Sequence, residues 1–373
     1  MEDVVKRVSG EDLLERAPIA FDEAVLADRL AGRRILVTGA GGSVGSALVE
    51  LLASLGPAEL VLLESHEPSL FHLRNRLLTA RPGVSYRWTL ADVRDERKLA
   101  TTFRQWRPEV VFHLAAYKHV PLGEENVDQV VGVNVLGTVR LVRQAASAGV
   151  ETVVYPSTDK AVNPPSIYGA TKRVVERYLA EVARGPAGPA IRVVRLVNVF
   201  GTQGSVIETF TRQILAGQPL TITDPRMIRY WMTMREAAHL LAWATTIATG
   251  EAAEWPFVLK VGEAVPLETT ARRLCQLLRP GADVSIRYVG IRPGERLYEE
   301  LTYPYETLEP GPHPGVWAIR DRRGPEAYAP DLAVQLGALE ERLYELDPPE
   351  LRRRLFALAT GAASGFEERV LSG

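Results

Sequence analysis

The stretch Arg33-Arg-Ile-Leu-Val-Thr-Gly-Ala-Gly-Gly-Ser-Val-Gly45 decides how this chain folds. Arg33 to Val37 is short and apolar at its centre, as a strand buried on both faces is. The glycines follow at once, and then Leu48, Leu51, Leu52 and Leu55 recur at helical spacing. Strand, glycine loop and helix in that order read as a dinucleotide cradle. Gly39 allows the tight turn, Gly42 lets backbone approach a pyrophosphate, and Gly45 lets helix and strand pack closely. The start of the helix, at Ser43 and Val44, then offers N–H groups to phosphate. A flexible loop without a ligand is the bland alternative. Against it stands a second apolar run, Glu59 to Glu64, which ends in an acid about 20 residues on, as the cradle requires. Glu64 would accept the adenosine ribose hydroxyls, which favours NAD over NADP. Arg74 and Arg76 could instead accept a 2′-phosphate, but read more simply as a solvated helix face.

The alternation continues outward. Val84 to Leu90 reads as a third strand, followed by Asp92, placed to meet an adenine, and Val93. Lys98 to Trp106 is helical. Glu109 to Leu114 is a fourth strand that runs into Ala115-Ala-Tyr-Lys-His119. The small Ala115 and Ala116 let a cofactor lie close, and Lys118 and His119 fall at the ligand edge. Asn126 to Gly149 reads as one long helix holding Asn134. That asparagine is either a structural hydrogen-bonder or a shaper of the neighbouring sheet edge. Thr152 to Tyr155 and Ile191 to Val197 are further buried strands. Repeated β-α units imply a parallel, doubly wound sheet with right-handed crossovers. Ligands then bind at the carboxyl ends of its strands.

At one such end stands Ser157-Thr-Asp-Lys-Ala-Val-Asn-Pro-Pro-Ser-Ile-Tyr-Gly-Ala-Thr-Lys172. Tyr168 and Lys172 are one helical turn apart and share a face. A free phenol with a pKa near ~10 is a poor base, and a fixed ammonium lowers that value. Thr158, at the strand end, can complete the hydrogen-bonded set. Tyr-x-x-x-Lys alone is weak; its place after a strand and downstream of a nucleotide loop strengthens it. Asp159 and Lys160 follow Thr158 directly. An acid and a base side by side there suggest proton transfers beyond simple oxidation. An exposed ion pair in a loop accounts for them equally well on their own.

Composition sets bounds. The 373 residues suit roughly two domains or one large one, and 46% apolar with 24% charged residues is ordinary for a packed core. A net charge of -2 gives no reason to expect nucleic acid or an anionic membrane as partner. The single cysteine, Cys275, excludes an intrachain disulfide and fits a reducing cytoplasm. No cysteine and histidine set has metal-ligand spacing. With no signal peptide and no apolar run of membrane length, the chain is expected to be soluble and cytoplasmic. Four regions are expected: a linker or adaptor at 1–32, a nucleotide-binding domain with the reactive groups at 33–200, a smaller substrate lobe at 201–310 and a helical tail at 311–373.

The combination of Thr38-Gly39-x-x-Gly42-x-x-Gly45 with Thr158, Tyr168 and Lys172 resembles the extended short-chain dehydrogenase/reductase superfamily. Ala115-Ala-Tyr-Lys-His-Val-Pro121, Asn134-Val-Leu-Gly-Thr138, Ser157 to Pro164, Gly204-Ser-Val-Ile207, Arg229-Tyr-Trp-Met-Thr-Met234 and Gly290-Ile-Arg-Pro-Gly-Glu295 are similar to the UDP-N-acetylglucosamine 4,6-dehydratase family. These motifs occur in family order over roughly residues 10 to 305. The resemblance implies an α/β fold, a Rossmann-type doubly wound parallel sheet with a smaller C-terminal substrate-binding lobe. It implies a lyase that takes a UDP-sugar, holds NAD or NADP, and forms a homodimer or higher oligomer through the helices from Asn126 and Tyr168.

Residue by residue, the resemblance makes Tyr168 the base at carbon four of the sugar, supported by Thr158 and Lys172. It makes Asp159 the acid for the carbon-six hydroxyl and Lys160 the base for the carbon-five proton. Burial is expected to lower the pKa of Lys160 for that task. Cofactor contacts fall at Gly39, Gly42, Ser43, Val44, Gly45, Glu64, Asp92, Val93, Ala115, Ala116, Lys118, Tyr168 and Lys172. Substrate contacts fall at Lys118, Asn198, Val206, Arg229, Arg292 and Glu295. Larger family members often carry methionine where Tyr168 stands, and they have transmembrane helices. The chain is thus either a soluble relative or the soluble part of an anchored protein, and the configuration at carbon five stays open. A nucleotide-sugar epimerase, which needs no Asp159-Lys160 pair, and a non-catalytic NAD-binding protein are the other readings.

Overall fold

A computed structural model describes residue 8 and residues 10–14, 16–185, 188–248, 256–282, 284–323 and 332–361. The first seven residues of the expected adaptor, its Glu15, and the end of the expected tail beyond 361 lie outside the described residues. The strands in chain order are β1 (Arg34–Thr38), β2 (Glu59–Glu64), β3 (Tyr86–Leu90), β4 (Val110–His113), β5 (Thr152–Thr158), β6 (Ala190–Leu196), β7 (Asn198–Val199), β8 (Leu220–Ile222), β9 (Ile228–Arg229), β10 (Trp231–Met232), β11 (Phe257–Leu259), β12 (Val265–Pro266), β13 (Ile286–Tyr288), β14 (Glu306–Pro310) and β15 (Val316–Asp321).

Nine of these form one sheet in the order β14-β15-β11-β6-β5-β4-β1-β2-β3. From β3 to β11 every pairing is parallel, and β15 and β14 are added antiparallel. The order reverses between β1 and β4, which opens a crevice at their carboxyl ends. The apolar runs are continuous because both faces are covered. Ile35, Val37, Leu60 and Leu62 pack on one face with Leu48, Leu52 and Leu240. Leu36, Val61, Leu63 and Val153 pack on the other with Leu136, Val175 and Leu355. A third cluster, with Phe200, Phe210, Trp231, Leu274 and Cys275, is the core of the lobe.

Three expectations about layout change. The region before β1 is no loose linker: Leu13 and Leu14 join the lobe core, and Phe21, Leu26 and Leu30 join the main core. Its charged residues hid that apolar set, and Arg16 is itself paired with buried Glu236 at 2.6 Å. The long helix from Asn126 is broken into Val127–Val131, a π-helical turn Gly132–Gly137, and Thr138–Ser147. Glycine at each end of that turn weakens regular helix. The tail beyond 310 is not only helical, because β15 closes the sheet against β11. The chain's own last helices pack beside the two helices expected to pair with a second subunit. Leu332, Leu336, Leu339, Leu351 and Leu355 from the helices Leu332–Arg342 and Pro348–Thr360 pack with Leu136, Val139, Val174 and Tyr178. No described helix is long and apolar enough to cross a membrane.

Candidate active site

The cradle is built by close approach. Gly39 has φ +64°, and a Cβ there would lie 2.7 Å from the backbone nitrogen of Ala115. A Cβ on Gly45 would lie 2.1 Å from the carbonyl oxygen of Gly39. Any side chain would push apart β1, β4 and the helix Ser43–Ser54 that meet here. Gly42 is the N-cap of that helix and supplies no side-chain cap, so the first-turn N–H groups keep their donor capacity. Glu64, buried at the end of β2, accepts from the N–H of Gly41 at 3.0 Å and from those of Ser65 and His66 at 2.9 and 3.0 Å. Its carboxylate is thus aimed at the glycine loop. Ser43 Oγ accepts from the Gln203 N–H at 3.0 Å, which brings the edge of the lobe against the loop. Val44 packs on the main core, and Val93 is buried where Gly137 approaches it. These residues fit a dinucleotide. Asp92 differs from expectation: Arg94 engages its carboxylate at 2.7 Å, so an adenine would meet a carboxylate already paired.

Asp159 and Lys160 form a short 3₁₀ turn at the end of β5. Lys160 Nζ donates to Asp159 Oδ1 at 2.9 Å and to Asn198 Oδ1 at 3.3 Å, and lies 3.5 Å from Glu299 Oε1. Thr158 Oγ1 donates to Asp159 Oδ1 at 2.9 Å. Asp159 Oδ2 is buried with no hydrogen-bond partner among the described residues. Burial pushes the Asp159 carboxyl up, against the pull of Lys160. For Lys160 burial pulls down, as expected, but Asp159 and Glu299 outweigh it and the ammonium is held well above its ordinary range. In this arrangement Lys160 is therefore a base only after giving its proton to Asp159.

Tyr168 and Lys172 share a helical face but are not a pair. Lys172 Nζ donates to the carbonyl of Pro156 at 2.8 Å and sits 4.4 Å above the Tyr155 ring. Burial pulls it down to about 7. Burial pushes the Tyr168 phenol up to about 12, and the cation that acts against this is Lys160, helped by a hydrogen bond with Thr158. The long lysine stem explains the difference: spacing fixes where a side chain starts, not where its ammonium ends. Asn134 clamps the backbone after β4, accepting from the Tyr117 N–H at 2.8 Å and donating to the Tyr117 carbonyl at 2.9 Å.

Among the expected substrate contacts, Asn198 joins the acid–base loop through Lys160. Arg229 is already engaged: it donates to the carbonyls of Ile228, Leu297 and Arg296 at 2.7, 3.2 and 2.9 Å. Its Nε is 3.5 Å from Glu299. Arg292 is exposed in a turn closed by Glu295, and Lys118 is exposed at the crevice rim beside Ala116. Val206 opens the helix Val206–Leu215. Sequence reasoning missed Glu299 and Tyr303, which lie just beyond Gly290 to Glu295. It also missed His113, which is buried between Thr38 Oγ1 at 2.7 Å and Thr138 Oγ1 at 2.9 Å. Burial holds His113 neutral, down at about 3. The Glu299-Glu300 doublet was the only available signal for the first of these, and nothing in its spacing distinguished it from a solvated pair.

The family described as Polysaccharide biosynthesis protein matches residues 35–321. The chain is 38% identical to the capsular polysaccharide biosynthesis protein CapD of Staphylococcus aureus over 299 residues, which is 80% of this chain and 49% of CapD. It thus spans about half the length of that relative. It is 31% identical over 288 residues to a UDP-N-acetylglucosamine 4,6-dehydratase (inverting) of Campylobacter jejuni, covering 74% of this chain and 81% of that protein. Among solved structures it is similar to Pen from Bacillus thuringiensis, with TM-score 0.70 and 27% identity over 79% of this chain and 90% of Pen. It is also similar to DesIV, a dTDP-glucose 4,6-dehydratase of Streptomyces venezuelae solved with NAD and TYD bound, with TM-score 0.61 and 26% identity over 72% of this chain and 88% of DesIV.

Proposed function

The chain belongs to the polysaccharide biosynthesis protein family, and from that premise we propose that it is an NAD-dependent 4,6-dehydratase of UDP-N-acetylglucosamine. The observation that carries this reading is the pair of buried Asp159 and half-buried Lys160 beside Tyr168, with one carboxylate oxygen left without a hydrogen-bond partner among the described residues. An epimerase has no use for such a pair. Gly39, Gly42, Ser43, Val44, Gly45 and Glu64 would hold NAD, supported by the fit of the cradle and by the NAD-bound DesIV. Bound there, NAD would supply the oxidant for carbon four and, later, the reductant for carbon six.

The chain's own groups handle protons. Tyr168 takes the proton of the carbon-four hydroxyl as its phenolate, having first released its own proton to solvent, with Lys160 and Thr158 stabilising that charge against the burial that raises it. A ketone at carbon four acidifies the hydrogen on carbon five. At 2.9 Å the proton shared by Asp159 and Lys160 passes to the carboxylate without leaving the site. That leaves a neutral amine and a carboxylic acid. Lys160 removes the carbon-five proton, Asp159 protonates the departing carbon-six hydroxyl, and water leaves. The pair is then ionised again. Lys160 later returns a proton to carbon five. Thr158, hydrogen-bonded to Tyr168 and donating to Asp159 at 2.9 Å, gives the proton from carbon four a path back to the pair.

Incubation with UDP-N-acetylglucosamine and NAD, read by product mass and NMR, tests this. The expected product has lost one water and carries a ketone at carbon four. A changed configuration at unchanged mass would mean an epimerase, and unchanged substrate would leave only nucleotide binding.

A further inference from the structure

The segment Arg296–Tyr303 lies across the loop Lys160–Asn163 and touches each of its residues. Glu299 Oε1 is 3.5 Å from Lys160 Nζ. Tyr303 donates its hydroxyl to the Ala161 carbonyl at 2.9 Å. Arg296 donates to the Val162 carbonyl at 3.1 Å and to that of Asn163. Asn163 Nδ2 donates to Glu300 Oε2 at 2.8 Å. Asn163 has φ +41°, a left-handed conformation that asparagine adopts more readily than other non-glycine residues. The same segment holds Arg229 through two carbonyls, and Glu299 Oε1 is 3.5 Å from its Nε. One buried carboxylate oxygen therefore faces two cations, one from the end of β5 and one from β9 in the lobe.

We propose that Glu299 is a positioning residue for Lys160, carried by a strap, Arg296–Tyr303, that locks the acid–base loop to the lobe. The inference rests on the dehydratase reading above. Lys160 is a point charge on a flexible stem, and its side chain is 24% exposed. Asp159 Oδ1 at 2.9 Å and Asn198 Oδ1 at 3.3 Å accept from it. A second carboxylate, carried by a separate segment at 3.5 Å, adds a further restraint on the stem and with it on the approach to carbon five. The ionisable groups facing Lys160 are Asp159 and Tyr168 from the main domain and Glu299 and Arg229 from the lobe. Without the charge on Glu299, Arg229 would face Lys160 uncompensated. The ammonium would then lose its proton at lower pH, and the stem would be free to swing.

The test uses the full chain as wild type, Glu299→Gln and Glu299→Asp. For Glu299→Gln, kcat for water loss should fall about 10- to 100-fold, as a displacement near 1 Å does. KM should stay within about threefold. The limb of the pH–rate profile set by proton abstraction should move to lower pH by roughly one to three units. Glu299→Asp should return that limb towards wild type. Lysine-selective carbon-13 NMR without substrate, tractable with six lysines, should show Lys160 titrating earlier in Glu299→Gln. A Glu299→Gln protein with wild-type kcat, pH limb and Lys160 titration overturns the proposal. So does a loss of kcat, KM and melting temperature together with neither pH shift, which would mark Glu299 as structural only. Failure of the wild type to release water from UDP-N-acetylglucosamine sinks the dehydratase reading instead; the NMR titration, which needs no turnover, still decides whether Glu299 governs Lys160.

Discussion

Two clusters of four charges lie close together in this fold, one buried throughout and one partly exposed at Lys160 and Arg229, and they are built to opposite standards. In the first, Arg195 from β6 sits between Glu176 and Glu306. It reaches Glu176 at 2.8 and 2.8 Å and Glu306 at 2.6 and 2.9 Å, and Arg173 adds a contact to Glu176 at 2.9 Å. All four carboxylate oxygens have partners, although Arg173 Nε is buried with none among the described residues. Burial pushes Glu176 up, but the two guanidinium groups bring it down to about 2. In the second, Asp159, Lys160, Glu299 and Arg229 carry the same number of charges. Yet Asp159 Oδ2 has no partner among the described residues, and burial prevails and raises its carboxyl. The planar fork of arginine satisfies two carboxylates at once, whereas lysine meets each as a single point. Carboxylates with every oxygen partnered favour rigidity, and the cluster with an unpartnered carboxylate oxygen keeps a proton that can move.

The sharpest way to break this comparison is to remove the mobile proton. Lys160→Met keeps most of the side-chain length and supplies no base. Turnover of UDP-N-acetylglucosamine should fall by about 10²–10⁴-fold. Thr158 and Tyr168 remain, so oxidation at carbon four should still occur, visible as near-ultraviolet absorbance of reduced cofactor, but more slowly, because Tyr168 loses the cation that opposes the rise of its phenol. Solvent deuterium should no longer enter carbon five. Water loss at the wild-type rate would show that the second cluster is only another ion pair.

The clusters should also part in stability. Arg195→Met leaves two buried carboxylates uncompensated and should cost about 3–5 kcal/mol in denaturant unfolding. Asp159→Asn removes a carboxylate that burial already disfavours, while Lys160 keeps Glu299. It should cost less stability than Arg195→Met, because Lys160 is partly exposed and keeps Glu299, while stopping water loss. pH separates them further. The folded pKa of Glu176 lies below its unfolded value of 4.5, at about 2. Its contribution is thus fully present above about pH 4.5 and lost as pH falls towards 2, roughly 3 kcal/mol in all. Arg195→Met should flatten that acid limb. Asp159 is raised, so its contribution is present below the unfolded pKa of 3.8 and lost as pH rises through the folded value. Asp159→Asn should remove this decline and leave the acid limb intact. Equal stability losses in the two variants would refute the distinction.

The positions of these groups were unequally legible in the sequence. The strand, glycine loop and helix at 33–55 and the acid ending β2 depend on local periodicity and turn chemistry, and the structure has them where spacing puts them. Asp159, Lys160, Tyr168 and Lys172 could be placed at a sheet edge for the same reason. Their partners could not. Whether Lys172 reaches Tyr168 or the Pro156 carbonyl depends on how four rotatable bonds settle in a packed site. The rise in the Lys160 pKa depends on Glu299, which is distant in sequence and enters through the fold of the lobe. The satisfied cluster was invisible too: Arg195 lies in what reads as a plain buried strand, and Glu306 arrives from an antiparallel edge that no β-α repeat announces.

Tyr303 stands between the clusters and sets how separate they are. Its backbone N–H donates to Glu306 Oε2 at 3.0 Å, and the Arg173 guanidinium lies 4.4 Å above its ring. Its hydroxyl crosses to the acid–base loop at Ala161. Tyr303→Phe keeps the ring, the cation contact and the backbone bond, and removes only the crossing. An unmade hydrogen bond of this kind costs about 0.5–1.5 kcal/mol, so unfolding stability should fall by about that amount. The acid limb governed by Glu176 should not move, because no contact to that carboxylate changes. Water loss should fall severalfold, less than tenfold, since the loop keeps its contacts to Arg296, Glu299 and Glu300. In a double-mutant cycle with Arg195→Met, the stability changes should add to within about 0.5 kcal/mol. A larger coupling, or a shifted acid limb in Tyr303→Phe alone, would make the two clusters one network, and the division between a rigid cluster and a proton-carrying one would fail at this residue.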